Sequence, residues 1–117
     1  MDLFRPDAFL PLTPVAFDIL LALADGSRHG YAILQDVESH SGGALHAGTL
    51  YRALARLLEH RLIDEIDAPA DADTADQRGR YYRLTERGVA VARAEIQRLE
   101  TQLTTARSRR LLKPVRP

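Results

Sequence analysis

Arg52 and Arg56 stand four residues apart, with Gly48 and Thr49 one turn before them. Guanidinium groups donate planar, paired hydrogen bonds that match phosphate oxygens and the guanine edge of the DNA major groove. A hydroxyl and the backbone N–H groups of a first helical turn suit phosphate as well. Tyr51 adds a phenolic hydroxyl at the margin of the same segment, and Arg78 and Arg80 flank Gly79 farther along the chain. Gly48, Thr49, Tyr51, Arg52, Arg56, Arg78 and Arg80 are therefore the candidate residues for contact with a polyanion.

Catalytic chemistry finds little to work with. There is no cysteine, which excludes disulfides, thiolate metal sites and a thiol nucleophile. The histidines are His29, His40, His46 and His60, and none forms a His-x3-His pair with a carboxylate partner or lies near a serine in a catalytic pattern. Metal sensing through His40 and His46 is set aside, and His29 reads as a cap or backbone contact at a helix start. Ser41-Gly42-Gly43 lacks the lysine and following helix of a phosphate loop. The expectation is a binding protein with no catalytic residues, no metal and no cofactor.

The elements that must position these residues follow from periodicity. Residues 1–12 carry Leu3, Phe4, Phe9, Leu10 and Leu12 broken by Pro6 and Pro11, and read as an irregular or briefly helical arm. Thr13-Pro14 opens a helix, because threonine caps and proline suits the first helical position. Val15, Ile19, Ala22 and Leu23 form its stripe, widened by Ala16 and Leu20, and Asp25-Gly26-Ser27 stops it. A second helix is expected from His29 to His40, with Tyr31, Leu34 and Val37 on one face and Ile33 beside them. A third runs from Ala47 to His60 on Leu50, Leu54, Leu57 and Leu58, which turns Thr49, Arg52, Arg56 and Glu59 to the opposite side. Leu62–Ile66 is a short strand, 67–79 a polar turn, and Arg80–Leu84 the alternating, aromatic return strand. Thr85 then caps a long last helix reaching about Leu111.

Helices followed by a hairpin are the order of a winged helix, so the fold class is mainly α with a small β-hairpin. The expected organisation is an arm (1–12), a winged helix-turn-helix domain (13–84), a dimerisation helix (85–112) and a basic tail (113–117). In the last helix Val89, Ala92, Ile96, Leu99, Leu103 and Ala106 recur at alternating steps of three and four, the narrow seam of a coiled coil. A helix of about 27 residues spans ~40 Å, longer than so small a domain is wide. Its far half calls for a second copy, and a two-fold homodimer would set two reading helices ~34 Å apart, one DNA turn.

The 117 residues are the size of one domain, 45% hydrophobic and 27% charged. The longest apolar run, Ile19 to Ala24, is far short of the ~20 residues that cross a bilayer, and no secretory pattern opens the chain. A cytoplasmic protein with no membrane partner is expected. Formal net charge is zero, but acid gathers at Asp64, Glu65, Asp67, Asp71, Asp73 and Asp76, while base gathers at 78–83 and 107–116. All the basic residues but Lys113 are arginine, which base composition of a genome explains as readily as function. Carboxylates so close to the wing would repel phosphate unless they face away from Arg78 and Arg80.

With these blocks in place, the chain resembles the PadR family of bacterial winged-helix repressors over roughly Leu12 to Leu103. The resemblance rests on His29-Gly30-Tyr31, on Gly48-Thr49-Leu50-Tyr51 with Leu54 and Leu57, on Leu62-Ile63, and on Arg80-Tyr81-Tyr82-Arg83-Leu84-Thr85-Glu86-Arg87-Gly88. It implies a homodimer on a palindromic operator of double-stranded DNA, usually repressing, with the last helix as the dimer interface. It also implies a small hydrophobic or phenolic effector, for which Phe9, Leu12, Ile96, Leu99 and Leu103 could line a cavity at the dimer axis. The chain departs from the pattern where His46-Ala47 replaces the Ser-Pro common before the reading helix; either the helix start frays or His46 caps it. The wing is also longer and more acidic than usual. Neutral net charge and that acidic wing leave a rival reading, a winged-helix adaptor that binds protein and has lost DNA.

Overall fold

Thr13 opens the first helix as its type demands: its hydroxyl accepts the Ala16 N–H at 3.2 Å, and Pro14 occupies the first helical position. In the computed structural model, which describes residues 3–41, 45–68 and 80–113, α1 is Pro14–Ala22, α2 Gly30–Ser41, α3 Ala47–Glu59 and α4 Glu86–Ser108. The strands are β1 (Arg28–His29), β2 (Ile63–Ile66) and β3 (Tyr81–Leu84), and the arm makes one 3-10 turn over Pro6–Phe9. The helical elements and the hairpin fall where periodicity puts them. The turn of the wing, with Arg78, lies outside the described residues.

The sheet is larger than the expected hairpin. β3 is central in the order β1-β3-β2, all antiparallel. Ile63 faces Leu84 and Ile66 faces Tyr81 on one side of β3, while Arg28 faces Tyr82 on the other. Two residues are too few to show alternation, so β1 left no periodic trace; it joins the sheet because β3 offers a second edge of unpaired backbone groups. The pairing anchors the start of α2, whose Gly30 N–H donates to the Arg80 carbonyl at 3.2 Å.

The core is built from one stripe of each element. Ile19 and Leu20 of α1 and its C-cap Leu23 meet Ile33 and Val37 of α2, Leu50, Leu54 and Leu57 of α3, Leu62, Ile63 and Val91. Each such burial contributes roughly 1.5–3 kcal/mol. Tyr31 is not among them and is 58% exposed. At 100° per residue Gly30, Ile33 and Val37 share a stripe, and Tyr31 lies well off it. The expected Tyr31 face therefore gives way to Ile33, with Leu34 half-buried beside it.

Two joints fix α4 against this core. Helix α3 ends in a Schellman turn: Arg61 takes φ 60°, the Leu62 N–H donates to Leu57 and the Arg61 N–H to Leu58, both at 3.0 Å. Thr85 then clasps that turn, donating its hydroxyl to the Arg61 carbonyl at 2.7 Å and accepting the Gly88 N–H at 3.0 Å. Gly88 packs so closely that a Cβ there would lie 2.0 Å from the Leu62 carbonyl oxygen. Helix α4 ends at Ser108, short of the expected Leu111, because Arg110 at φ 63° closes a second Schellman turn with Leu111 bonded back to Ala106.

Candidate nucleic-acid interface

Helix α3 is oriented by its leucines. With Leu50, Leu54 and Leu57 buried, Arg52 and Arg56 project into solvent and Thr49 is half-buried at their edge. The two guanidinium groups share an exposed face and neither is ion-paired among the described residues. Arg52 makes only a long contact, 3.4 Å, to the Thr49 hydroxyl. Such a pair presents two groups of hydrogen-bond donors at the spacing of one helical turn.

The first turn of α3 is less open than expected. His46 holds the N-cap position without a side-chain hydrogen bond, so it does not replace a serine cap. Its carbonyl accepts from Thr49 at 2.9 Å and from Leu50 at 3.2 Å. The Thr49 N–H is thus already engaged, which leaves the Thr49 side chain rather than its backbone as the group available to a phosphate. A Cβ on Gly48 would meet Arg52 and His46, the nearest at 3.4 Å, so the small residue lets the Arg52 guanidinium lie back over the turn.

Tyr51 lies to one side, half exposed at 50%, and its ring rests on Gly30. A Cβ at Gly30 would be 3.5 Å from the Tyr51 hydroxyl and 3.7 Å from the Tyr82 ring, so α2, α3 and β3 converge on this point. His29 caps α2 as expected, its Nδ1 accepting the Tyr31 N–H at 3.1 Å. Burial first, and the Glu65 carboxylate second, push the Tyr82 phenol above its ordinary value against an opposing pull from Arg80. It stays protonated, a neutral hydroxyl behind the charged surface.

On the wing the acid and base are interleaved. Arg80 meets Glu65 through Nε at 3.3 Å and Nη1 at 3.4 Å, and Arg83 meets Asp64 at 3.6 Å. The part of the acidic run that lies on β2 therefore faces the basic strand instead of pointing away from it. Asp71, Asp73 and Asp76, like Arg78, lie outside the described residues.

A family model described as the transcriptional regulator PadR-like family matches residues 19–94, from the middle of α1 to the third turn of α4. The chain belongs to the PadR-like family. RosR of H. salinarum is 28% identical, with 83% of this chain and 79% of that one covered and a TM-score of 0.61. A PadR family transcription regulator from Clostridium difficile shares 21% identity and a TM-score of 0.68, covering 82% of this chain and 97% of that chain, a likeness of fold alone. A 37.1 kDa protein of transposon TN4556 from Streptomyces fradiae is 49% identical over 49 residues, 42% of this chain. The chain spans only 14% of the length of that relative.

The structure gives the PadR-like sequence blocks their physical sense. His29-Gly30-Tyr31 supplies a cap and a platform for Tyr51, and the Thr85 to Gly88 block is the clasp that seats α4. The N-terminal arm is held by a group that periodicity passed over. Glu95, 2% exposed, accepts the Leu12 N–H at 2.7 Å and pairs with Arg98. The Arg98 hydrogen bond holds the Glu95 carboxyl below its ordinary value despite its burial, and the Leu12 N–H adds to this. Phe4 lies under the Arg87 guanidinium at 4.7 Å, and Phe9 packs edge-on to His60 at 5.3 Å.

The seam residues of α4 lie beside the stripe that its own core takes, and Ala92 still packs against that core. Gly88, Val91 and Glu95 are buried within the chain. Val89, Ala92, Leu99 and Ala106 are half-buried, and Ile96 and Leu103 are 39% and 44% exposed. Of the residues expected at an effector cavity, Phe9 and Leu12 line a cleft between the arm and α3, whereas Ile96, Leu99 and Leu103 do not take part in it. Among the described residues no helix is long and apolar enough to cross a membrane.

Proposed function

We propose that this PadR-like protein is a sequence-specific DNA-binding regulator, acting in the cytoplasm as a homodimeric repressor on a palindromic operator and carrying out no catalysis. The observation that carries the reading is the exposed, unpaired face of α3, where Arg52 and Arg56 stand opposite the buried leucines. Such a face suits a helix that enters a major groove, and the wing would then meet the flanking backbone. Gly48, Thr49 and Tyr51 serve as phosphate-positioning neighbours, and Arg80 and Arg78 as wing contacts. The seam of α4, from Val89 to Ala106, is the proposed dimer interface, and dimerisation would cover the exposed Ile96 and Leu103 that a lone chain leaves in water.

The test is fluorescence anisotropy of the purified protein with the duplex upstream of its own gene, over a salt series. Nanomolar binding that exceeds binding to a scrambled duplex and weakens steeply with salt is the expected result. One observation favours a second reading. The Arg80–Glu65 and Arg83–Asp64 pairs neutralise the strand of the wing, as befits an adaptor that binds another protein. An adaptor would bind no duplex even at low salt, including duplexes drawn from a genome-wide fragment selection.

A further inference from the structure

A cleft of about 550 Å³ runs between the arm with the start of α1 and the exposed side of α3. Phe9, Leu12 and Val15 line it from one side, and Arg52, Arg56 and His60 from the other. No carboxylate lines it among the described residues. The arm wall is fixed in place, because Leu12 is tied by its N–H to buried Glu95 and Phe9 is packed on His60. The volume lies within the roughly 300–1,000 Å³ typical of small-molecule sites, and an apolar wall beside two unpaired guanidinium groups strengthens their attraction for an anion by excluding water.

We propose that this cleft is a binding site for an organic anion with an apolar body, the body against Phe9, Leu12 and Val15 and the acidic group on Arg52 and Arg56. Resting on the DNA-binding reading, it has a regulatory consequence: the same two guanidinium groups cannot serve a ligand and the duplex together, so the ligand excludes DNA by direct competition. The site is not the dimer-axis cavity expected from sequence, since Ile96, Leu99 and Leu103 lie outside it.

The probes are 8-anilinonaphthalene-1-sulfonate and N-phenyl-1-naphthylamine, which share an apolar body and differ in the sulfonate. Fluorescence titration of the whole protein should saturate with the sulfonate at one site per chain. Arg52→Gln with Arg56→Gln should weaken the sulfonate about tenfold or more and leave the neutral probe nearly unchanged. Val15→Trp should abolish binding of both by filling the cleft; Ala53→Leu, a smaller intrusion from the α3 side, should weaken both and covers the case in which the tryptophan variant fails to fold. Sulfonate binding indifferent to the arginine and the cleft-filling changes would overturn the proposal. So would fluorescence that develops only after Leu99→Glu with Leu103→Glu has made the protein monomeric, because a second copy would then cover the cleft. Displacement of bound duplex by the sulfonate, and not by the neutral probe, supports the competition. If no duplex binds at any salt while the probe results hold, the DNA reading fails and the anion site stands.

Discussion

Helices α3 and α4 are both amphipathic, yet they use their apolar stripes in opposite ways. In α3 every stripe leucine but the half-buried Leu58 is consumed by the chain's own core. What remains outside is mainly charge, Arg52, Arg56 and Glu59, with the half-exposed Tyr51 to one side. In α4 the chain fully buries Gly88, Val91 and Glu95 and packs Ala92 against the core, and what remains outside includes Ile96 and Leu103. A residual surface of arginine suits a polyanion, which meets its partners through water and counterion release. A residual surface of aliphatic side chains suits another copy of the same seam. The difference lies in the width of the stripe: 3.6-residue drift brings α3's broad stripe onto a globular core, whereas the alternating three-and-four seam of α4 lies beside the stripe its own core takes.

The joint between the two helices should be the most fragile point. Gly88→Ala would push a Cβ to 2.0 Å from the Leu62 carbonyl, where backbone rather than a flexible side chain must yield. A loss of about 3 kcal/mol or more is expected by chemical denaturation. Gly30→Ala is the control: its Cβ meets only ordinary contacts at 3.5 Å and beyond, so stability should change by less than about 1 kcal/mol. Equal effects would mean that α4 is not seated through Leu62.

The seam itself is broken by Leu99→Glu with Leu103→Glu. Placing carboxylates in a dimer core should weaken association by about 4 kcal/mol or more, read as a monomer by light scattering at micromolar protein. Thermal stability of the monomer should change little, since Leu103 lies outside the intrachain core; a persisting dimer would refute the seam. On α3, Arg52→Ala or Arg56→Ala should leave the dimer intact and weaken duplex binding by ~1–3 kcal/mol where the residue reads a base. Unchanged affinity in both variants would remove α3 from the interface.

A smaller effect concerns the arm. Glu95→Gln keeps the shape but loses the charge that serves Leu12 and Arg98, and should lower stability by about 1–2 kcal/mol at neutral pH. The Glu95 carboxyl is held below its ordinary value near 4.5 in the folded chain. Its contribution is therefore complete above that ordinary value and is lost as the pH falls through the lower, folded one. The difference between wild type and Glu95→Gln should shrink on acidification through that range. A constant difference would show that packing, not charge, ties the arm down.

The frame of the molecule was legible from sequence because long apolar stripes, Thr13-Pro14 and Thr85 are strong local signals. The arginine face of α3 was legible for the same reason: fixing Leu50, Leu54 and Leu57 fixes what lies opposite. What escaped depends on contacts between distant residues. Glu95 is a charged residue beside an apolar seam, and only the arm folding back across the helix makes it a buried acceptor. The Arg80–Glu65 pair requires the strand register, and β1 requires the free edge of β3. The engaged Thr49 N–H follows from a first turn tightened on the His46 carbonyl, which no residue type announces. Arg61 and Arg110 carry no sign of the left-handed conformation that glycine would have signalled.

Those two arginines sharpen the comparison at its finest scale. Both helices end in the same Schellman geometry, at φ 60° and 63°, on a residue that disfavours it. Arg61→Gly removes that local penalty at a turn clasped by Thr85 and followed by buried Leu62, and although glycine also enlarges the unfolded ensemble, a net gain of about 0.5–1 kcal/mol is expected. Arg110→Gly removes the same penalty where no buried residue follows among the described ones, since Leu111 is 83% exposed. That end opens without the rest of the fold, so global stability should be unchanged and only the exchange of the Leu111 amide should slow. A gain at both positions would place the end of α4 inside the cooperative unit, as a dimer seam extending to the last turn would do; a gain at Arg61 alone would confine the cooperative unit to the core that α3 completes.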